Sequence, residues 1–401
     1  MQRLGFCKLV VVLAPMISSS GELAKSMRER LEDRSVPVKP SEDLEKWMAR
    51  KGGAPFKQYE SSSTIALQDY YVWNHPSKSG WLSRGGYAEY AEYLPRQLGL
   101  VDDVFRRTDI GDVLADVLLR PTEIGGLEAG SPTDNILTLD LPQRILFLHQ
   151  LLAADGDFLI PFVKSIATKF EAMSFTYLDA GALLPAVCRD AARAFGEYAY
   201  SKDDREILRR LESTGEKIKQ QIAESIETQG SGSRREQTSI PRLEWLVDLG
   251  FVARRGGEAS SRVFTFTPEG LRFAAQASSA YDHQLTTSYA DKALSSVLED
   301  DFYEIAARAF VGASSSESNP SDFIEFIRPA YQRLSKLRGY YLLRPLLLLR
   351  NGQMMQSVAP EFIEYSRAVE LMENTYKASP DRISYSIDRF STDYQVRLIE
   401  P

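Results

Sequence analysis

The sequence contains few of the residues that build metal sites and disulfide frameworks. Its 401 residues include two cysteines, Cys7 and Cys188, and three histidines, all widely separated. A zinc site made from residues close in sequence needs clustered Cys or His ligands, and a disulfide framework needs paired cysteines, so this spacing argues against both. Sparse, unpaired cysteine is typical of a reducing compartment, and we therefore expect a cytoplasmic protein.

Long apolar runs are also missing. The longest one, Tyr340–Leu349, is interrupted by Arg344 and Pro345. A helix that crosses a bilayer needs about 20 consecutive apolar residues. The sequence therefore predicts no membrane-spanning segment and no membrane partner.

The N-terminus contains a shorter apolar run, Leu9–Ala14, which follows basic residues. It resembles the apolar part of a secretory signal. Small residues, Ser18 to Ser20, follow it, but Pro15 interrupts the run and no A-x-A-like cleavage site follows. We favour a buried strand that leads into a helix over Gly21–Arg34, with the secretory signal as the alternative.

Recognisable catalytic motifs are absent. The chain contains neither a G-x-x-x-x-G-K-[ST] phosphate loop nor a G-x-S-x-G nucleophile turn. The acidic run Asp155-Gly156-Asp157 lacks the rest of a calcium loop and is predicted to be a turn between helices. We expect no enzymatic activity, no cofactor and no small-molecule substrate; an enzyme whose site is dispersed beyond these motifs is the open alternative.

What the sequence does contain is enough apolar material for a folded, multi-domain protein. Hydrophobic residues make up 43% of the chain, with 19 Phe, 19 Tyr and 4 Trp, so disorder along the whole length is not expected. The formal net charge is −7, whereas a protein that coats nucleic acid without specificity is usually basic. Any contact with nucleic acid must therefore come from a local basic patch.

Helical periodicity dominates, and strand-like alternation is brief, as at Arg262–Thr267. Loops rich in glycine and serine divide the chain. They predict four pieces: an N-terminal segment with a first module at 1–130, a helical region at 131–230, a second module with a following helix at 231–312, and a third candidate module at 320–401.

The most informative feature is an internal repeat. The first copy reads Leu98-Gly99-Leu100-Val101 and then Thr108-Asp109-Ile110-Gly111; the second reads Leu249-Gly250-Phe251-Val252 and then Thr267-Pro268-Glu269-Gly270. In each copy the first glycine is predicted to end a helix in the left-handed conformation. The apolar pair after it is predicted to start a strand, and the threonine to cap the next helix.

Helix, glycine, strand, turn, strand, Thr-x-x-Gly and helix together resemble the second half of a winged-helix domain. The resemblance covers Ser61–Leu119 and Glu206–Ala275. A weaker third copy at the C-terminus has three predicted helices, Phe323–Lys336, Tyr340–Arg350 and Pro360–Tyr376, followed by a hairpin. The expected fold is therefore mainly α with short β-hairpins, and multi-domain, with two or three winged-helix modules around a helical middle region.

In DNA-binding winged helices, the helix before the glycine and the turn between the two strands contact DNA. The resemblance therefore implies a set of contact residues in each repeat. Acidic neighbours mix with those of the first copy, so a protein contact or a purely structural role competes there. For the second copy the competing interpretation is a solvated basic turn. The candidates are Arg84, Tyr87, Arg96, Arg106 and Arg107 in the first copy, and Arg234, Arg235, Gln237, Thr238, Arg242, Arg254, Arg255 and Arg262 in the second.

Proteins with several winged helices and no catalytic site resemble accessory subunits of prokaryotic restriction or anti-phage defence systems. The resemblance implies duplex DNA and protein subunits as partners. The leading expectation is a non-enzymatic, DNA-binding accessory subunit. The alternative, which the acidic composition favours, is a protein–protein adaptor that uses winged helices for assembly.

Overall fold

The computed structural model describes most of the chain beyond residue 140 and scattered positions before it. The described residues are mostly helical and carry three small sheets, which agrees with the expected mainly α fold with short β-hairpins. They comprise 4, 7, 11, 95–96, 98–102, 106–108, 110–111, 114, 139, 141–171, 173–196, 202–224, 234–255, 262–286, 303, 305–306, 308–310, 316–318, 320–333, 340–355, 361–387 and 393–399.

Helix α1, Leu141–Phe170, packs against three other described helices: α2 (Tyr177–Gly196), α5 (Pro268–Thr286) and α7 (Leu343–Met355). Much of its apolar surface is buried in these contacts, and Leu148, Leu152, Phe162 and Ile166 are fully buried.

The acidic run Asp155-Gly156-Asp157 lies where α1 is broken. The halves Leu141–Gly156 and Phe158–Phe170 are bent by 101°, so the chain makes the predicted turn between helical segments, although both belong to the continuous assignment of α1. Pro161 favours a break at this point, since it has no amide hydrogen to donate to the carbonyl of Asp157, four residues earlier. Among the described residues no single helix is long and apolar enough to cross a membrane; the two bent halves of α1 meet that standard together, by length and composition only.

The middle unit consists of α1, β1 (Phe175–Thr176), α2, α3 (Lys202–Glu224), α4 (Arg234–Asp248), β2 (Val252–Arg255), β3 (Val263–Phe266) and α5. Its three strands are antiparallel in the order β1-β3-β2, with Phe175 opposite Phe264 and Val252 opposite Phe266. The predicted boundary between 230 and 231 therefore lies inside one sheet-containing unit.

The C-terminal unit has a similar order of elements. It consists of α6 (Phe323–Arg333), β5 (Tyr341–Leu342), α7, β6 (Glu361–Phe362), α8 (Tyr365–Ala378), β7 (Ile383–Ile387) and β8 (Tyr394–Leu398), with strand β6 in the place of helix α3. The sheet order is β5-β8-β7, again first, third and second. Strand β6 pairs in parallel with β4, Ser316–Glu317. The three predicted helices and the hairpin are present, but Tyr341 and Leu342, which were expected in the second helix, form a strand.

The glycine of each repeat ends a helix as predicted. Gly99 has φ +63° and Gly250 has φ +79°, in the left-handed region that glycine adopts at little cost. The amide of Phe251 donates to the carbonyl of Leu246, and the amide of Gly250 donates to that of Val247. The first copy has the same two bonds, from Leu100 to Pro95 and from Gly99 to Arg96, so both ends are Schellman motifs.

The Thr-x-x-Gly turns are also alike in the two copies. Thr267 Oγ1 donates to the carbonyl of Gly250 at 2.8 Å and accepts from the amide of Gly270 at 3.0 Å. Thr108 makes the equivalent bonds to Gly99 at 2.5 Å and from Gly111 at 3.1 Å. The threonine therefore caps the new helix and ties its start to the end of the previous one.

The second glycine of each copy is required by a close backbone approach. A Cβ atom on Gly270 would lie 1.9 Å from the carbonyl oxygen of Phe251, and one on Gly111 would lie 1.9 Å from that of Leu100. A backbone oxygen cannot move aside as a flexible side chain can. The helix start and the strand start are thus in direct contact.

The described N-terminal positions Leu4, Cys7 and Val11 are helical, so the predicted buried strand is wrong at Val11. Their spacing of three and four residues places them on one face of a helix, and all three are buried. The amide of Leu4 donates to Asp248 Oδ2 at 2.9 Å, which joins this helix to the end of α4. The predicted helix at Gly21–Arg34 lies outside the described residues.

The close approach at Gly270 predicts that Gly270→Ala destabilises the middle unit by at least about 2 kcal/mol, because the added methyl group overlaps a backbone carbonyl. Ser279→Ala, at an exposed position of the same helix, is the matched control and should stay within about 0.5 kcal/mol of the parent. Urea unfolding measured by circular dichroism gives both values. Equal stability of the two variants would contradict the contact.

Candidate functional site

Two of the arginines predicted to contact DNA are buried inside the middle unit. The side chains of Arg254 and Glu244 are 1% and 0% exposed. Arg254 Nη1 donates to both carboxylate oxygens of Glu244, at 2.6 and 2.7 Å. Arg262 Nη1 reaches Glu244 Oε1 at 3.3 Å, with 6% of its own side chain exposed. These guanidinium groups face the protein interior. The prediction that Arg254 and Arg262 contact DNA is therefore corrected, because both side chains are part of the core.

The alternation along β2 explains this burial. Successive side chains of a strand point to opposite faces of the sheet. Val252 and Arg254 face the core and Ala253 and Arg255 face outward. Because α4 packs on the inner face of β2, Glu244 of that helix lies opposite Arg254. The wing arginines are thus divided between two sides of the sheet, and Arg255 is on the solvent side.

Arg242 is also used within the fold. Its Nε and Nη2 donate to the two carboxylate oxygens of Asp155, at 2.8 and 2.5 Å, as a bidentate pair. The guanidinium lies 4.2 Å from the ring centroid of Phe158 and 5.7 Å from that of Trp245. Only 16% of the Arg242 side chain is exposed. This arginine therefore connects α4 to the bend of α1, and its expected role in DNA contact is corrected in the same way.

The other candidates of the second copy occupy the start of α4. Arg234, Arg235, Gln237 and Thr238 lie in its first two turns. Amide groups at a helix start are favourable for anions. Their side chains are outside the described residues.

The first copy is only partly described. Arg84 and Tyr87 lie outside the described residues. Arg106 is exposed and pairs with Asp102 at 2.8 Å, next to the single antiparallel bridge between Val101 and Arg107. Arg107 Nε donates to the carbonyl of Val11 at 2.6 Å, so it ties this bridge to the N-terminal helix. Arg96 is half-buried at the end of the preceding helix and has partners of its own.

The C-terminal unit has a surface that the sequence analysis did not identify. Three tyrosines contact one another between the end of α8 and the hairpin: the rings of Tyr376 and Tyr385 are 5.2 Å apart, and those of Tyr385 and Tyr394 are 5.8 Å apart. Ile387 is the hairpin partner of Tyr394 and is 68% exposed. We call Tyr376, Tyr385, Ile387 and Tyr394 the tyrosine patch. The alternation of side chains along β7 and β8 could have indicated that Tyr385, Ile387 and Tyr394 share a face. The sequence could not show that Tyr376 of α8 packs beside them.

A buried carboxylate positions the patch. Asp393 Oδ1 accepts from the hydroxyl of Tyr365 at 2.9 Å and from the amide of Tyr394 at 2.8 Å. Its Oδ2 accepts from the amide of Arg344 at the start of α7. Burial raises the pKa of Asp393, although its hydrogen-bond donors and the Arg344 charge oppose the rise. Asp393 thus fixes the first residue of β8 to two helices.

The charges on α8 beside the patch are of both signs. Glu370 is paired with Arg367, and exposed Lys377 follows Glu373 by one helical turn. Burial, and then the negative charge of Glu373 and the neighbouring tyrosines, raise the pKa of Tyr385. Its phenol is therefore uncharged at neutral pH. The result is an apolar, hydrogen-bonding surface with charges of both signs at its border.

Within the described part of the chain, no group of three or more His, Cys, Asp and Glu side chains is placed to share a metal ion. Comparisons with protein-family models, curated protein sequences and solved structures found no match to this chain.

The different positions of Arg242 and Arg255 predict different stabilities for their variants. Arg242→Ala removes a bidentate ion pair and two ring contacts and leaves Asp155 without this cation, so we expect a loss of about 2–3 kcal/mol. Arg255→Ala is the matched control and should change stability by less than about 0.5 kcal/mol. Urea unfolding measures both, and a small effect at Arg242 would mean that its ion pair does not hold α4 in place.

Proposed function

We propose that this chain is a non-enzymatic winged-helix adaptor that assembles protein subunits, and that the tyrosine patch of the C-terminal unit is its main contact surface. The assignment to winged helices is supported by the two repeated glycine and threonine turns, and by three helices followed by a hairpin in each of the larger units. The compartment that this proposal assumes is the cytoplasm.

The observation that carries the proposal is the chemistry of α8. In a DNA-binding winged helix, the last helix before the hairpin faces phosphates, which requires positive charge. Here two basic residues, Arg367 and Lys377, balance Glu370 and Glu373, so that helix carries no net positive charge, and it presents Tyr376. Exposed tyrosine beside apolar side chains is instead typical of protein interfaces, because a large rigid ring is buried at little cost in entropy and keeps its hydroxyl bonded.

The chemistry of the patch also indicates the partner. Tyr376, Tyr385 and Ile387 offer apolar and aromatic area, while Glu373 and Lys377 border it. A complementary surface would be an apolar pocket with charges of both signs at its rim. We therefore expect a protein subunit that offers an apolar pocket to the tyrosine patch.

We predict that Ile387→Asp abolishes capture of the partner subunit by the tagged chain in its native cells, because a desolvated carboxylate would face the apolar pocket. Ser386→Asp adds the same charge on the preceding residue, which faces the other side of the sheet, and should leave capture unchanged. Affinity purification followed by mass spectrometry measures both. Recovery of the same subunits by both variants would contradict the proposal.

DNA binding is the second candidate function, and the exposed side chain of Arg255 on the outer face of β2 favours it. This geometry predicts a specific pattern in a salt-titrated assay on duplex DNA. Arg255→Ala should reduce the slope of log affinity against log salt concentration by about one, which corresponds to one phosphate contact. Arg254→Met should leave that slope unchanged wherever the variant stays folded, since its guanidinium is internal. No binding of the intact chain at low salt would exclude this candidate.

A further inference from the structure

Helices α2 and α3 form a hairpin that borders a groove of about 630 Å³. Gly215 of α3 lies against Cys188 of α2, since a Cβ on that glycine would be 2.9 Å from the cysteine Cβ. This contact lies well inside both helices, so the chain reverses between them. Helix α3 is held by a narrow stripe, in which Gly215 and Ile218 are buried and Leu208 and Ile222 are half-buried, while the rest of its described surface is exposed.

The two walls of the groove carry opposite charges. The α2 wall presents Arg189 and Arg193, both exposed and without an ion-pair partner among the residues that the structure describes. The α3 wall presents Glu212 and Glu216. Each pair is spaced by four residues, which is about one helical turn. No ion pair of the described residues joins the two walls; Glu216 instead approaches Lys219 on its own helix, at 3.7 Å.

The contact of Gly215 with Cys188 sets the level of these charges along the hairpin. Because the helices run in opposite directions, the residue after Cys188 lies level with the turn around Gly215. Arg189 is therefore at the height of Glu212 and Glu216, and Arg193 at the height of Glu212. Lys219 lies farther along, at the height of Pro185, and faces no arginine.

We propose that this face is a dimer interface, in which the α2–α3 hairpins of two copies of this chain pack as a four-helix bundle. A twofold axis along the groove places α2 of one copy against α3 of the other, at the same height. Each basic wall then meets an acidic wall, so the surface is complementary to itself, as a twofold interface requires. The apolar floor, formed by Pro185, Cys188, Ala192 and Leu208, becomes the centre of the bundle.

The dimensions are sufficient for such a contact. A helix of about 20 residues is about 30 Å long, and two helices side by side are about 20 Å wide. The face therefore covers about 600 Å² on each copy, or about 1,200 Å² in total, which is at the lower end of specific protein interfaces. This predicts a dimer whose affinity depends on its charges. It uses a surface separate from the tyrosine patch and does not depend on the adaptor function.

Sedimentation equilibrium of the full chain measures dimer formation, and variants that reverse the charges of one wall test the proposal. The parent should form dimers that weaken at high salt. Arg189→Glu with Arg193→Glu, or Glu212→Arg with Glu216→Arg, should raise the dissociation constant by about 100-fold or more, because like charges then meet. A 1:1 mixture of the two double variants should form a heterodimer. The control Arg209→Glu with Lys217→Glu changes the same number of charges on α3 outside the groove and should leave the dimer intact.

Circular dichroism verifies that each variant is folded, and Arg189→Gln with Arg193→Gln removes the charges without reversing them if the stronger change does not fold. A parent chain that is monomeric at all concentrations would overturn the proposal, including the case in which a helix of another protein occupies the groove. Failure of the mixed variants to associate would overturn it as well.

Discussion

The structure of the middle unit depends on one buried carboxylate. Glu244 lies on α4 and faces the sheet, and its two oxygens accept from Arg254 on β2 and from Arg262 just before β3. Removing three charged groups from water costs several kcal/mol for each ion, and close pairing must repay that cost. The geometry is correspondingly demanding: α4, β2 and β3 have to meet at fixed positions. The ion pair therefore sets how helix and hairpin are oriented, more than it adds to stability.

This internal use of charge changes where function is expected. A basic wing is often taken as a sign of contact with nucleic acid, but here Arg254 and Arg262 neutralise a carboxylate of their own unit, and Arg242 does the same for Asp155. The surface with the most distinctive chemistry lies instead at the C-terminal unit, where Tyr376, Tyr385 and Ile387 are accessible. Asp393 holds that surface to the α7 and α8 helices.

The sequence predicted the repeated turns in detail, because the forces that form them are local. A left-handed glycine and a capping threonine are determined within a few residues, and both copies have the predicted hydrogen bonds. The helices were found for the same reason. The short strands at Phe175 and Tyr341 were missed, since two residues are too few to show an alternation, and their partners lie far away in the chain.

The orientation of charged side chains could not be predicted from composition. Arg254 and Arg255 are adjacent and identical, yet one is buried and the other exposed, and only the register of β2 against β3 decides which. Arg242 and Asp155 are separated by 87 residues, so no local pattern could pair them. The alternation along β2 shows that Arg254 and Arg255 lie on opposite faces of the sheet, but not which face is buried. The position of Glu244 on α4 identifies the face of Arg254 as the buried one.

A double-mutant cycle between Glu244 and Arg254 tests the central claim that these charges form the interior of the middle unit. The free energy of unfolding would be measured for the parent, for Glu244→Gln, for Arg254→Met and for the double variant. A buried pair predicts that each single change costs about 3–5 kcal/mol and that the double variant recovers at least about 1.5 kcal/mol relative to their sum. Additive effects, with small losses in both single variants, would contradict the account.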